Sequence, residues 1–309
     1  MPAPIILFVY NRADHTAKTL AALEANAEFA ESPLFIFSDA AKNSAAESAV
    51  QQVREVIAPY ASRGNTYIHL NETNQGLAKN IVHGVTQVIN QYGRAIVLED
   101  DIIVSPHFLS FMNRALAMYA DDKRVWHING WSHPIDTSEL GGAYFSPLMN
   151  CWGWATWADR WQAYHKEPAK LIATWSLAKI RRFNLNNSHD FWGQVLDNYR
   201  GHLNTWAIFW YATIFEQNGL CLTPTVSLTH NIGFDGSGEN CVDKRVETNL
   251  INLSSVYIDP SDVVEISKPA IEKIASHIAS ESTFIDKLKS YFKAAFFNAA
   301  VRWVSGTKR

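Results

Sequence analysis

The first hundred residues alternate short apolar runs with longer stretches of helical spacing. Apolar runs at 4–9, 34–37, 66–70 and 95–98 are rich in β-branched and aromatic side chains, which is typical of buried strands. The stretches between them, the first of which begins at Asp14, carry the pattern of helices. Strands that alternate with helices indicate βαβ units. We therefore expect an α/β fold with a mostly parallel sheet flanked by helices.

The fourth apolar run ends abruptly in three adjacent carboxylates, Glu99, Asp100 and Asp101, before a further apolar run begins. Neighbouring carboxylates repel one another, and their burial without a partner would be costly. A divalent cation would relieve this repulsion, because Mg²⁺ and Mn²⁺ favour oxygen ligands and often share them with substrate phosphates. The other interpretation is a solvated acidic turn at the end of a strand.

Polar residues also follow the other three predicted strands. Asn11 and Arg12 follow the first strand, Asp39 follows the second, and Asn74 and Gly76 follow the third. Ligands of parallel α/β sheets bind outside the carboxyl ends of the strands, so these positions predict one shared site. A GxGxxG motif after the first strand and a GxxxxGK[ST] motif are both missing from the sequence, which argues against an NAD-type dinucleotide fold and a P-loop NTPase.

Further elements are predicted along the second half of the chain. Their spacing and turn residues indicate helices at 107–119, 190–199 and 206–217 and strands at 125–128 and 220–224. The rest of 165–205 is polar and irregular in pattern.

Four tryptophans lie within ten residues of one another. Trp154, Trp157 and Trp161 fit one face of a helix. Together with Trp152 they could pack in the core or form a wall against which a sugar ring lies. Farther along, residues 230–240 form a glycine-rich loop, which could be a lid over a site or an ordinary surface loop.

The composition is that of a globular protein, with 47% hydrophobic and 18% charged residues. A net charge of −3 gives no electrostatic signal for nucleic acid. The three cysteines lack CxxC spacing and predict reduced thiols. The first residues lack the pattern of a signal peptide, and apolar runs stay shorter than the roughly 18 residues of a membrane span. We therefore expect a cytoplasmic protein.

Residues 281–309 repeat aromatic and apolar side chains at helical spacing among lysines and arginines. This basic amphipathic pattern is typical of helices that lie on a membrane surface, and it predicts peripheral attachment to the inner membrane. A helix docked on the surface of its own domain is the alternative.

Several motifs follow the order found in the GT-A glycosyltransferases. They are Phe8–Arg12 (FVYNR), Asn74–Leu77 (NQGL), Val97–Asp101 (VLEDD) and, later, Cys151–Trp154 (CWGW). The first motifs resemble glycosyltransferase family 2. The acidic motif with Ser105-Pro106 after it most resembles the N-acetylglucosaminyltransferase I type and its bacterial relatives. The resemblance covers residues 4–241 and implies a GT-A type, Rossmann-like sheet.

The resemblance also implies a domain organisation. It predicts one glycosyltransferase domain over 1–241, with a nucleotide-sugar half up to about residue 104 and an acceptor half after it. Residues 242–280 would be a C-terminal extension, and 281–309 the basic amphipathic helix.

The resemblance implies a nucleotide-sugar donor, usually a UDP-sugar, with Mn²⁺ or Mg²⁺ bridging its diphosphate, and a glycan or lipid-linked acceptor. Asp101 would be the direct metal ligand, and Glu99 and Asp100 would hold ribose and sugar hydroxyls. The remaining motif positions would lie along the nucleotide, and they are Tyr10, Asn11, Arg12, Asp39, Gly76 and Leu77.

One position departs from the pattern of the related enzymes. An inverting transferase needs a general base, and in those enzymes an acid commonly follows the tryptophan that corresponds to Trp206, whereas Ala207 occupies the position here. Asp190 and Asp197 are seven residues apart, so on a helix they would share a face, and we expect one of them to be the base. The further options are Asp159, Glu216 and Asp235.

The sequence thus predicts a metal-dependent, inverting glycosyltransferase of bacterial surface-polysaccharide synthesis. Because the base is unassigned, the alternative is a relative that binds a nucleotide sugar or glycan without turnover. A nucleotidyltransferase would need a glycine-rich loop with Lys or Arg after the first strand, and residues 10–14 contain no glycine.

Overall fold

The computed structural model describes residues 1–236 and 258–281. The strands are β1 (Ile5–Val9), β2 (Leu34–Ser38), β3 (Thr66–Leu70), β4 (Arg94–Glu99), β5 (Ile102–Val104), β6 (Val125–Asn129), β7 (Ala143–Ser146), β8 (Trp154–Trp157), β9 (Leu220–Pro224) and β10 (Thr229–Asn231). The α-helices are α1 (Ala13–Glu24), α2 (Ser44–Ile57), α3 (Leu77–Tyr92), α4 (Phe108–Met118), α5 (Ala158–Trp161), α6 (Pro168–Thr174), α7 (Leu177–Phe183), α8 (Phe191–Tyr199), α9 (Ala207–Glu216) and α10 (Lys268–Glu281).

The large sheet has the strand order β3-β2-β1-β4-β8-β6-β9-β7. Within the described chain, β1, β2, β3, β4, β6 and β9 run in one direction, and β8 and β7 run against them. The carboxyl ends of the six parallel strands therefore meet at one edge. This mostly parallel sheet confirms the α/β fold class predicted from the sequence.

The central strands read as continuous apolar runs because both of their faces are covered. Every residue of β1 and β2 is buried, as expected for parallel strands packed between helices. Helix α3 buries one face against the sheet, including Ile81, Val85 and Val88. Gly93, at φ 76°, ends this helix in the left-handed conformation that glycine adopts without strain.

The chain forms two compact units. The first contains residues 1–133, 137–162, 219–236 and 258–266, and it holds the whole sheet. The second contains residues 134–136, 163–218 and 267–281, and it is helical. In the second unit, Trp175 stacks on Trp192 with ring centroids 5.2 Å apart and meets the edge of Phe183 at 5.1 Å, so aromatic rings form its core.

Trp154 and Trp157 lie in a strand and Trp161 lies at the end of α5, whereas the spacing of the three favoured one helix. Trp154–Trp157 is β8, which lies antiparallel between β4 and β6 with all four residues buried. A strand covered on both faces lacks the alternation of apolar and polar residues that would distinguish it from a buried helix. Trp154, Trp157 and Trp161 pack in the core, so they do not form a wall for a ligand, whereas Trp152 is half-buried.

Residues 165–205 hold three helices, where the sequence predicted one. Helix α6 has Pro168 in its first turn, and α7 begins after Ser176, whose hydroxyl accepts a hydrogen bond from the backbone N–H of Lys179 at 3.2 Å. Each has seven residues, which is too short for a clear helical period. Helix α10 was likewise not predicted.

The amphipathic helix predicted for 281–309 lies outside the described residues beyond Glu281. None of the described helices is long and apolar enough to cross a membrane. Cys151 and Cys221 form no disulfide within the described residues, and Cys241 is not among those residues.

Candidate active site

The three adjacent carboxylates mark the end of β4 at the carboxyl edge of the sheet. Glu99 is the last residue of the strand, and Asp100 and Asp101 form a buried turn that leads into β5. Strand β5 pairs antiparallel with β10, so the acidic turn is fixed between two sheets. The backbone carbonyl of Asp101 accepts a hydrogen bond from the N–H of Ile232 at 2.9 Å.

Arg12 supplies the cation beside the acidic turn. It precedes α1, and its Nη2 donates hydrogen bonds to Oδ1 of Asp100 and, at 2.9 Å, to Oδ2 of Asp101. The backbone N–H of Tyr10 donates to the other oxygen of Asp100 at 3.3 Å. Because β1 and β4 are parallel neighbours, their ends bring these residues together although about ninety positions separate them along the chain.

The site still holds more negative charge than Arg12 offsets. Burial, together with repulsion from Asp101 and Asp100, raises the pKa of Glu99 to about 8, although Arg12 acts in the opposite direction. The pKa of Asp100 is also raised, mainly by burial. For Arg12, burial opposes the charged form, but attraction to both aspartates outweighs it and raises its pKa. A second cation at this turn would therefore be favoured.

The residues at the turn fit a cation that completes its coordination with substrate oxygens. Among residues 1–236 and 258–281, three or more His, Cys, Asp or Glu side chains are nowhere grouped so as to hold a metal. Mg²⁺ commonly uses only one or two carboxylates together with phosphate oxygens. Asp101, whose Oδ2 already contacts Arg12, would supply one such ligand but not a complete cage.

The backbone at residue 233 packs so closely against the acidic turn that only glycine fits there without displacing a neighbour. A Cβ built on Gly233 would overlap Oδ2 of Asp101 and would lie 2.9 Å from Nη1 of Arg12. That Nη1 is buried and makes no hydrogen bond within the described chain. An unsatisfied buried donor is rare and calls for a partner. A phosphate oxygen would be such a partner.

We call residues 231–236 the glycine strap. Within it, the side-chain Oδ1 of Asn231 accepts from the N–H of Gly233 at 2.7 Å. His15 contacts it twice, with Nε2 lying 3.2 Å from the carbonyl oxygen of Ile232 and 3.2 Å from Oδ2 of Asp235. The first part of the predicted lid thus packs on the acidic turn, and its remainder, 237–240, lies outside the described residues.

Asp39 organises the loop between β3 and α3. Its carboxylate accepts hydrogen bonds from the backbone N–H groups of Gln75 and Gly76, both at 2.9 Å. It also accepts from the side-chain amides of Asn71 at 3.0 Å and Asn74 at 3.1 Å. Both oxygens are thus used within the protein. Asp39 holds the loop in place, and this loop would present its backbone to a ligand.

The remaining predicted nucleotide contacts lie at the same edge. The hydroxyl of Tyr10 accepts a hydrogen bond from the backbone N–H of Lys42 at 3.1 Å, and Asn11 is half-buried beside it. Gly76 has φ 73°, and Leu77, which begins α3, is 39% exposed. All nine predicted nucleotide and metal residues therefore belong to the carboxyl edge of the sheet in the first unit.

The sequence profile of the GNT-I family matches residues 1–182, which is more than half of the chain. The chain belongs to the GNT-I family. The match contains β1–β8 and all nine predicted nucleotide and metal residues. It confirms the resemblance to GT-A glycosyltransferases of the N-acetylglucosaminyltransferase I type. No curated protein matches the chain by sequence.

Among solved structures, this GNT-I family member is similar to residues 1–349 of TarS from S. aureus, determined in complex with UDP, at 15% identity and a TM-score of 0.36. That alignment covers 50% of this chain and 46% of the TarS chain, so this chain matches about half of its length. A second similarity is to galactosyltransferase LgtC with donor and acceptor sugar analogues, at 12% identity, with coverage of 68% and 70% and a TM-score of 0.35. A third is to UDP-glucose pyrophosphorylase complexed with UDP-glucose, at 13% identity, with coverage of 52% and 79% and a TM-score of 0.29.

The two predicted base residues of this GNT-I family member lie in the second unit and after the matched region. Asp190 is the N-cap of α8 and accepts from the N–H of Gly193 at 2.9 Å, so it stands before the helix and not within its body. Asp197 lies in the last part of α8 and pairs with Arg200 at 3.3 Å. We expected both aspartates to lie within one helix and to share a face. Only Asp197 lies within α8, and Asp190 caps its amino end.

The other carboxylates considered as bases have cationic neighbours. Glu216 lies 3.1 Å from Lys179 and 3.3 Å from His165, and it accepts from Trp175 Nε1 at 2.8 Å. Burial opposes ionisation of Glu216, but the hydrogen bonds from Trp175 and Lys179 outweigh it and lower its pKa. A carboxylate with a lowered pKa is a weaker base. Asp159 pairs with Lys123 at 2.6 Å and with Arg160 at 2.7 Å.

Sequence reasoning did not include His15, Asn231 and Gly233 in the nucleotide site. His15 lies in the first turn of α1, and its contact with residue 232 joins positions more than two hundred residues apart. Gly233 offered one signal, since a glycine within an Asn-Ile-Gly-Phe run is compatible with close approach of the backbone to another group. The identity of that group, Asp101, depends on the pairing of β5 with β10.

Proposed function

We propose that this protein is a metal-dependent glycosyltransferase that transfers a sugar from a UDP-sugar to a glycan or lipid-linked acceptor. The observation that carries the proposal is the half-buried Arg12, which bridges Asp100 and Asp101 with Nη2 and whose buried Nη1 has no hydrogen-bond partner in the described chain. Membership of a glycosyltransferase family supports it. The acceptor and the role in bacterial surface-polysaccharide synthesis rest on the sequence resemblance, as does an inverting outcome.

The nucleoside would lie across the ends of β1, β2 and β3. There, Tyr10 and Asn11 follow β1, and the loop held by Asp39 offers the backbone of Gly76 before the exposed Leu77. Glycine lets a ligand approach the main chain closely. The same position lies at the start of a helix, where backbone N–H groups favour negative charge.

The diphosphate would lie at the acidic turn. Arg12 Nη1 would donate a hydrogen bond to a phosphate oxygen, and Nη2 would keep Asp100 and Asp101 in position. A bound Mg²⁺ or Mn²⁺ would act as a Lewis acid that neutralises charge on the departing diphosphate. Glu99 and Asp100 would accept hydrogen bonds from ribose or sugar hydroxyls.

This function predicts donor turnover that requires a divalent cation. Transfer or slow hydrolysis of a panel of UDP-sugars is measured with Mn²⁺, with Mg²⁺ and with excess EDTA. We expect turnover of at least one UDP-sugar and the loss of this turnover in EDTA. Without a metal ion, the acidic turn carries more negative charge than Arg12 offsets. Equal turnover in EDTA would contradict the metal dependence.

We place the general base at Asp190 or Asp197. Asp190→Ser removes the carboxylate but keeps an N-cap, since serine caps helices about as well as aspartate. Asp197→Asn removes the other carboxylate without changing its shape. One of these variants should lower transfer about 10²- to 10⁴-fold while the thermal midpoint is retained. Arg200→Gln, which breaks the ion pair of Asp197 but keeps its carboxylate, is the control. Wild-type rates in both variants would exclude both residues.

The second candidate function is binding of a nucleotide sugar or glycan without turnover. Ala207, at the first position of α9, favours this alternative because the related enzymes commonly carry an acid there. It predicts that UDP binds although no UDP-sugar is consumed with any acceptor.

Attachment to the inner membrane through residues 281–309 stays a prediction of the sequence.

A further inference from the structure

Three aromatic rings form a row in the first unit, and we call Trp131, Trp152 and Phe234 the aromatic row. The ring of Trp152 meets Trp131 with centroids 4.9 Å apart and an angle of 75°, and it meets Phe234 at 5.4 Å and 76°. The ring of His133 contacts Trp131 with ring centroids 4.6 Å apart. Trp131 is 9% exposed, whereas Trp152 and Phe234 are half-buried.

The aromatic row lies next to the acidic turn. Val97 of β4 pairs with Trp154 of β8, and a Cβ on Gly153 would lie 3.1 Å from the side chain of Leu98, so the residues just before β8 lie near the carboxyl end of β4. Phe234 follows Gly233, whose position borders Asp101. In the sheet order, β8 and β6 lie on the side of β4 opposite to β1, β2 and β3. The row therefore continues from the acidic turn away from the nucleoside.

The backbone holds Trp152 rigidly. Its N–H donates to Oδ1 of Asn150 at 2.8 Å, and its carbonyl accepts from Oγ1 of Thr229 at 2.8 Å. The next residue, Gly153, has φ 73° and accepts at its carbonyl from the N–H of Gly130 at 2.7 Å. A ring whose main chain is fixed in this way, and which contacts Trp131 and Phe234, loses little conformational entropy when a ligand binds.

The indole N–H of Trp152 is not used within the part of the chain that the structure describes. Other tryptophans of the first unit donate this N–H to the protein: Trp157 to the carbonyl of Leu116 at 3.0 Å, and Trp161 to Oγ1 of Thr86 at 2.9 Å. Trp152 thus combines a half-exposed, electron-rich ring with a hydrogen-bond donor.

We propose that Trp152 is the platform on which the acceptor sugar stacks, an inference that rests on the proposed transferase function. The apolar C–H face of a pyranose packs on an aromatic ring, while its rim carries hydroxyl oxygens that accept hydrogen bonds. Trp152 would contact the C–H face and donate Nε1–H to one hydroxyl. Trp131 and Phe234 would keep the indole in place through their roughly perpendicular ring contacts.

The test measures glycoside and UDP binding separately. Wild type, Trp152→Ala and Trp152→Phe are titrated with the methyl glycosides of glucose, galactose and N-acetylglucosamine in the presence of UDP and Mn²⁺, and binding is followed by saturation-transfer NMR. UDP affinity is measured on the same samples by calorimetry. Trp126→Ala is the matched control, because Trp126 is a half-buried tryptophan at the amino end of β6, at the opposite edge of the sheet.

We expect at least one glycoside to bind wild type and Trp126→Ala equally and to bind Trp152→Ala about tenfold or more weakly, with UDP affinity unchanged. Trp152→Phe keeps a ring but loses the N–H, so it should bind about fivefold more weakly. If Trp152→Ala does not fold, glycoside binding by Trp152→Phe tests the proposal. Unchanged glycoside binding in both variants, or none by wild type, would overturn the role of Trp152. Failure of wild type to bind UDP would overturn the transferase function instead.

Discussion

Asp101→Asn is expected to lower sugar transfer about 10²- to 10³-fold, the loss typical when one electrostatic stabiliser of a leaving group is removed. The substitution keeps the shape of the side chain but removes the negative charge that would attract the cation. It leaves intact the hydrogen bond from the N–H of Ile232 to the backbone carbonyl of residue 101. The fold should therefore be retained, and initial rates with the UDP-sugar consumed by wild type provide the measurement.

Asp121→Asn is the matched control for Asp101→Asn. Asp121 is exposed in the turn between α4 and β6, so its replacement removes the same charge far from the carboxyl edge of the sheet. It should transfer sugar at the wild-type rate. If Asp101→Asn retained half of the wild-type rate with the same requirement for Mn²⁺, Asp101 would not be the metal ligand.

Gly233→Ala is expected to lower transfer about a hundredfold, since a displacement of about 1 Å at a reacting centre can cost that much. The added methyl group would overlap Oδ2 of Asp101, lie 2.9 Å from Nη1 of Arg12 and lie 3.1 Å from Oδ1 of Asn231. These atoms are the ends of side chains and can move. The cost in unfolding free energy should therefore stay within the ~1–3 kcal/mol of an overpacked site. Rates and thermal unfolding of the same preparation measure the two effects.

Gly64→Ala separates this effect from a general response to alanine. Gly64 lies before β3 with a backbone conformation open to other residues, and a Cβ there meets no heavy atom within 4 Å. It should leave rate and stability unchanged. Wild-type activity of Gly233→Ala would instead mean that the glycine strap leaves the acidic turn before the reaction.

The sheet edge could be predicted because its signals are local. An apolar run followed at once by Glu99, Asp100 and Asp101 identifies a strand and its end, and the same argument places Asp39 after β2. The sequence predicted a metal ion beside the acidic turn, which stays a prediction, but it did not predict the ion pair of Arg12 with Asp100. This contact depends on β1 lying beside β4, which one sequence cannot specify.

Local pattern was insufficient where tertiary contacts decide the structure. Trp154 and Trp157 are three residues apart, a helical spacing, yet they belong to a strand that β4 and β6 bury on both sides. By contrast, helix α7 had a usable signal in its cap, Ser176. The helix predicted over 206–217 is α9, and Asn218 just after it has the left-handed conformation at φ 51° that commonly ends a helix.

The most direct test of the donor site is calorimetric titration of UDP into wild type and Asp101→Asn, each with and without Mn²⁺. Our account predicts that wild type binds UDP and that Mn²⁺ strengthens binding about tenfold or more, because the cation joins the diphosphate to the acidic turn. In Asp101→Asn the effect of Mn²⁺ should disappear. Absence of UDP binding by wild type, or an equal effect of Mn²⁺ in both proteins, would contradict it.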